Sequence, residues 1–286
     1  MNLKELEALI HMEDPPTMGE KRRVFSSTQL TMLQRCGMQY FYRYVEGIKM
    51  APTVALLRGS AVHTGVAVNL RQKIKSGVEL PVDDVKDAAR DAVDAAFMGE
   101  IALTEEERSR GMSLIKGDTK DMAIGLAALH TLKVSPTFQP VAVEKQITLR
   151  TDPAIFPMDL TGIIDVEDDA AAVRDTKTSS KAPNEDAAET SEQLTMYALL
   201  YQAEKGRLPS EVVLDTLVRT KGGKETPYLN KSARTEADLH RLTLRLGKAA
   251  EAIEKEVFIP TNPESWWCSA NWCGYYNICA FGKSRR

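Results

Sequence analysis

The sequence predicts an α/β fold carrying a large helical insertion and a C-terminal cysteine tail, on three observations. Between Asp159 and Gln202, two short β-branched runs separated by an acidic turn are followed by a helical stretch. Between Asp83 and Leu132 the chain is alanine-rich and helical in pattern. Between Trp266 and Cys279 lie all three tryptophans and three of the four cysteines. With 286 residues, 43% hydrophobic and 27% charged, the chain has the composition of an ordinary globular protein with a sizeable core. A net charge of -3 excludes a global positive field, so any nucleic-acid contact must come from a local patch. No run approaches the ~18 apolar residues of a membrane span, and the start MNLKELEALI lacks the pattern of a signal peptide. The expected setting is cytoplasmic, with no membrane partner, where cysteines are reduced or metal-bound rather than disulfide-linked.

Taken in order, Met1 to Arg23 reads as a short helix, a Pro15-Pro16 break and a basic Lys21-Arg22-Arg23 run. Together they form a peripheral arm. Ser26 or Ser27 caps the next helix, in which Leu30, Leu33 and residues 40–44 recur at helical spacing and Cys36 is included. After a loop marked by Gly47 and Pro52, Leu56 to Ile74 makes a helix whose small residues before His63 permit close approach. The helical insertion follows over 77–135, with breaks near Gly99 and Gly111. Val141 to Thr148 alternates as a strand and carries Glu144. Leu160 to Val166 and Ala171 to Thr178 form a hairpin around Glu167-Asp168-Asp169. A helix with Gln193 and Tyr197 on one face, a strand over Glu211 to Val218, a basic loop over Arg219 to Lys224 and an amphipathic helix over Thr235 to Val257 complete the core.

The chemistry concentrates in the hairpin. Asp175 and Lys177 are two apart on a strand and therefore share a face, and strand pairing brings Asp165 close. Carboxylate oxygens suit Mg²⁺ or Mn²⁺, and a lysine beside them can steady developing phosphorane charge or orient a water. The same D-x-K spacing at Asp84-Val85-Lys86 and Asp118-Thr119-Lys120 falls in helical segments, so strand context is what separates the three. Glu144 either supports the metal through a water or is a surface glutamate. Arg219, Lys221 and Lys224 make either a phosphate-holding loop or a solvated turn. Cys268, Cys273 and Cys279 are spaced x4 then x5, with Cys36 as the remaining thiol. Four soft ligands suit an iron-sulfur cluster, the preferred reading, or zinc, against an alternative of free buried thiols.

These motifs, in this order, resemble the RecB-like branch of the PD-(D/E)XK nuclease superfamily, particularly the iron-sulfur members such as the AddB nuclease domain and the CRISPR-associated adaptation nucleases. The likeness runs from about Ser26 to Cys279, interrupted by the helical region. It implies a restriction-endonuclease-like core, a central mixed sheet flanked by helices, with residues 1–25 a peripheral arm. Residues 26–286 would then form a single nuclease domain ending in a cluster-binding tail over 260–286. It further implies that His63, of Gly59-x-x-x-His63, binds metal with Asp165 and Asp175, the Thr176 carbonyl being a further ligand. Lys177 would be catalytic, and Gln193 and Tyr197, the Q-x-x-x-Y motif, would contact DNA or orient the site. Cys36, Cys268, Cys273 and Cys279 would clasp a 4Fe-4S cluster of structural role. This chain departs from the best-known members in having x4 rather than x2 between the first two tail cysteines, and Gly37 where a proline often follows the first cysteine.

The function so implied is a metal-dependent DNA nuclease, an exonuclease acting on ends or single strands in recombination, repair or DNA processing. No G-x-x-x-x-G-K-[ST] helicase loop is present in the chain, so a helicase or single-strand annealing partner would be a separate protein. Two other readings stand beside it: a catalytically silent DNA-binding or assembly module, and a regulator in which the cluster senses oxidation.

Overall fold

The structure, a computed structural model, describes residues 23–153 and 156–283. The short helix and basic run expected over Met1 to Arg23 fall almost wholly outside them. The chain enters the sheet at β1 (Val24–Phe25), two residues that the sequence assigns to the arm. A helix α1 (Ser27–Arg35) follows, capped by Ser26, whose hydroxyl accepts the amide of Gln29. It stops at Cys36, which is extended (φ -164, ψ 110), so Cys36 sits at a break between α1 and the short α2 (Gly37–Tyr40) rather than inside one helix. Next come α3 (Val54–Ser76), α4 (Val82–Ala96), α5 (Glu105–Arg110) and α6 (Met112–Leu129). Thr53 caps α3, and Gly77, at φ 72, ends it in the left-handed conformation that favours glycine. The alternative Asp-x-Lys triplets lie in α4 and α6, away from any strand.

The strands β2 (Pro140–Leu149), β3 (Asp159–Asp168), β4 (Val173–Ser179), β5 (Val212–Arg219) and β6 (Glu225–Ser232) build a mixed sheet of order β1-β3-β4-β5-β6, with β2 on the other edge of β3. Helix α7 (Glu192–Lys205) connects the parallel pair β4 and β5, as a crossover must, and α8 (Glu236–Glu254) follows β6. The α8 start carries a reciprocal Thr235–Asp238 capping box. Strand β6 carries no strong hydrophobic alternation, and the sequence reading passes over it. It is nonetheless fully paired to β5 from Val212–Ser232 to Arg219–Glu225.

Each face of the sheet has its own core. Val173, Val212 and Leu214 pack with Leu194, Leu199 and Leu242 of α7 and α8 on one face. Val166 and Leu217 pack with Val62, Leu70, Val93 and Leu126 of α3, α4 and α6 on the other. Period-2 alternation along β5 delivers Leu214 to one core and Leu217 to the other. The expected mixed sheet between helical layers is therefore the fold found, and the insertion helices complete with α3 the layer on one face. Among the described residues, no helix is long and apolar enough to cross a membrane.

Candidate active site

The site begins where the sheet splits. Strand β3 shares one edge between two partners: its first residues pair with β1, and its last, Val166 and Glu167, pair with Arg174 and Val173 of β4. Beyond that short contact β4 leaves β3 and runs beside β5, from Val173–Val212 to Ser179–Val218. Asp165 stands at this fork. Its carboxylate accepts the Thr176 amide at 2.9 Å, continuing by side chain a ladder that the backbones no longer make. The same Oδ2 lies 3.4 Å from His63 Nδ1 on α3. The D-x-K pair faces one way as strand alternation requires, with Lys177 Nζ 2.8 Å from Asp175 Oδ2 and 3.1 Å from Oδ1.

Asp175 is only 1% exposed. Burial pushes its carboxyl up to about 6, against the pull of the Lys177 ammonium and with reinforcement from the Asp165 charge. Tyr197, on α7, is held above the usual phenol range by burial and by the Asp175 and Asp165 charges, so it stays a neutral hydroxyl. Gln193 Nε2 donates to the Tyr197 hydroxyl at 2.6 Å, one turn away on the same face. A Cβ at Gly162 would lie 2.8 Å from Leu200 Cδ1 and 3.3 Å from Tyr197 Cε1. The glycine three residues before Asp165 is therefore where α7 seats on β3.

A cavity of about 210 Å³ is lined by His63, Val143, Glu144, Asp165 and Thr176, among others. The Thr176 hydroxyl is buried without a hydrogen-bond partner. Glu144 takes a positive φ of 50 at the ladder position facing Asp165, between the pairs Val143–Val166 and Lys145–Ile164, and its carboxylate is engaged by Arg71. Two carboxylates and an imidazole around this fork are the donor set of a small divalent cation with room for waters. Among the described residues, no three His, Cys, Asp or Glu side chains are already drawn together as a metal centre, at the fork or among the cysteines, and at the fork Asp175 is turned to Lys177.

Arg219, at the end of β5, already has partners on the protein. Its guanidinium donates to the Asp121 carbonyl of α6 at 2.7 Å and pairs with Glu225 at 3.3 Å. Lys221 and Lys224 are exposed in the turn beyond. The sequence reading misses Arg174, which grips Asp215 through two hydrogen bonds of 2.9 Å and approaches Asp168 at 3.4 Å, all three buried. It also misses Thr216, the register partner of Lys177, whose hydroxyl is buried and unpartnered. A buried arginine between two aspartates locks β4 to β5 on the face opposite Asp175. Only its place in a strand could have flagged it, since Asp215 becomes its neighbour through sheet register alone.

The three tail cysteines and the distant Cys36 line one open pocket together with Tyr42, Trp267 and Tyr275. None of the four is disulfide-bonded among the described residues; Cys36 and Cys279 are buried and Cys268 and Cys273 half-buried. The tail is pinned there by the Gly37 amide donating to the Ile259 carbonyl at 2.7 Å, the Thr261 amide to Cys36 Sγ at 3.4 Å and the Tyr275 hydroxyl to the Ile48 carbonyl at 2.9 Å. A Cβ at Gly37 would sit 2.5 Å from Ile259 N, and a proline would lack the donated amide. The glycine thus suits this crossing better than the proline of the relatives it resembles.

No curated protein matches the chain in sequence at a significant level. Among solved structures, that of the "Putative exonuclease" from Eubacterium rectale is similar at a TM-score of 0.53, with 10% identity over 96% of this chain and 94% of that one. At that identity the likeness bears on the fold. A second solved structure, SSO0001, gives 16% identity over 98% of this chain and 93% of that one, at a TM-score of 0.39. The sheet fork with its two aspartates and lysine agrees with the sequence comparison, in which the model of the PD-(D/E)XK nuclease superfamily matches residues 24–280: the chain belongs to that superfamily.

Proposed function

We propose that the protein is a Mg²⁺- or Mn²⁺-dependent deoxyribonuclease, an exonuclease rather than an endonuclease, working at DNA ends or in single strands during recombination, repair or processing. The observation that carries the reading is the arrangement at the β3–β4 fork, where His63, Asp165, the buried Asp175 and its exposed partner Lys177 converge. His63, Asp165, Asp175 and the Thr176 carbonyl would hold the ion, whose chemistry is to polarise a phosphoryl oxygen and acidify a water. Lys177 orients that water and offsets charge developing on the phosphorus, while Tyr197, kept neutral and held by Gln193, positions the strand. Glu144 lines the same cavity and supports the site from its edge. Lys221 and Lys224 guide the backbone from the exposed β5–β6 turn.

In the tail, Cys36, Cys268, Cys273 and Cys279 hold a 4Fe-4S cluster, with zinc the other metal the same thiols fit. Four thiols around one cavity support this assignment. Its role is to tie the tail to the α1–α2 break. The cytoplasm suits such a protein, and any helicase or annealing partner would be a separate chain.

The test is anaerobic purification, visible spectrum and iron and zinc content, then incubation with linear and circular, single- and double-stranded DNA plus Mn²⁺ or Mg²⁺. Cleavage of linear substrates that is lost in Asp165→Ala and Lys177→Ala supports the proposal. Undiminished cleavage by either variant, or none by the wild type, refutes the catalytic assignment. A colourless, metal-free protein with four titratable thiols refutes the cluster.

A further inference from the structure

Arg58 is a cation without an anion. It stands on α3 immediately before Gly59, and among the described residues it forms no ion pair with a carboxylate. Its Nη1 donates only to the Met122 thioether, at 3.5 Å, and its Nε is buried with no acceptor at all. A guanidinium carries five N–H donors in a planar fork, and a thioether is a weak acceptor. Glu107 is the carboxylate whose charge reaches it, yet that group is committed to the α5 cap, accepting from the Thr104 amide at 2.8 Å and hydroxyl at 3.1 Å. Burial lowers the pKa of the half-buried Arg58 by more than the Glu107 charge restores.

Its surroundings say what would compensate it. A Cβ at the neighbouring Gly59 would be 3.7 Å from Thr178 Oγ1, so α3 touches β4 here at the residue after Lys177. His63 lies five residues on along α3, about 7 Å in rise. On α6, Met122 beneath Arg58 is next to Asp121, whose carbonyl receives Arg219. Arg219 is balanced by Glu225, and Arg58 is not.

We infer that Arg58 binds a non-bridging oxygen of a nucleic-acid phosphodiester flanking the one that is cut, at a subsite between α3, α6 and the β5–β6 turn. Guanidinium and phosphate match in geometry and charge. The inference rests on the nuclease reading and adds to it a strand-binding contact outside the proposed metal site. An arginine kept only for its apolar stem packing on Met122 would serve the fold instead.

The two roles separate in one experiment on the full-length chain in EDTA. Affinity for a fluorescein-labelled single-stranded oligonucleotide is read by anisotropy across a KCl series, beside the melting temperature. Arg58→Met keeps the stem and removes the charge. It is expected to bind at least fivefold more weakly, to lower the slope of log K against log salt by about 0.7, the value of one phosphate contact on a single strand, and to melt no lower than wild type. Arg58→Lys is expected to retain the slope with intermediate affinity. Wild-type affinity and slope in Arg58→Met overturn the inference, and so does a lower melting temperature, which would make the guanidinium a fold-holding group. If the wild type neither binds the oligonucleotide in EDTA nor cleaves it when Mn²⁺ replaces the EDTA, the nuclease reading itself falls. If it does both and Arg58→Met matches it, only the Arg58 contact falls.

Discussion

Replacing Asp175 with asparagine should inactivate the protein and stabilise it, and the structure gives the size of the second effect. The carboxyl is 1% exposed and burial raises its pKa from 3.8 to about 6, with Lys177 opposing and Asp165 reinforcing. An acid whose folded-state pKa is raised costs stability when ionised. The cost is absent well below the unfolded value and complete above the folded one. Two pKa units at about 1.4 kcal/mol each make the ionised Asp175 cost roughly 3 kcal/mol at pH 8, most of which is gone by pH 4. Asparagine has the same shape and no charge. Asp175→Asn in EDTA is therefore expected to melt on the order of 5 °C above wild type at pH 8, the advantage closing as pH falls toward 4. Thermal unfolding by circular dichroism across that range checks the stability, and cleavage of linear DNA with Mn²⁺ checks the activity. A variant less stable than wild type at pH 8, or an advantage independent of pH, would refute the account of a buried carboxylate kept for function. Retained cleavage would refute its catalytic role.

Gly162→Val places a branched side chain where a Cβ alone would meet Leu200 at 2.8 Å and Tyr197 at 3.3 Å. About 1–3 kcal/mol of stability should be lost by overpacking, and cleavage should fall further than unfolding explains, measured at a temperature where the variant remains folded. Asp215→Ala strands the buried Arg174 and should cost about 3–5 kcal/mol in denaturant unfolding, most of it recovered in Arg174→Met/Asp215→Leu. Cys36→Ser should lose visible absorbance and iron together and lower the melting temperature, because Cys36 is the one thiol contributed from outside the tail. Unchanged iron content would remove Cys36 from the ligand set.

The strands bearing Asp165, Asp175 and Lys177 were legible because they are short β-branched runs on either side of an acidic turn, and their boundaries differ from the observed ones by a residue or two. Likewise Ser26, Thr53 and Thr235 mark their helices with local hydrogen bonds that need no tertiary partner. Strand β6 escaped because ETPYLNKS gains its strand from pairing with β5 and not from its own pattern. The break at Cys36 escaped because the apolar spacing continues through it, and what interrupts the helix is the returning tail at Ile259.

By itself the sequence determined the residue types of the site and their order: an imidazole, an aspartate three after a glycine, an aspartate and lysine on one strand face, then a glutamine and tyrosine one helical turn apart. These are local relations, fixed by backbone periodicity. What only the tertiary structure decided is the partnership between segments. Sheet register set Asp215 against Arg174 and Thr216 beside Lys177, and helix packing left Arg58 without a carboxylate and committed Arg219 to one. Folding also brought Cys36 to the three tail cysteines around one pocket. Such neighbours are chosen by burial of apolar faces on both sides of the sheet, an energy spread over the whole chain and written in no single motif.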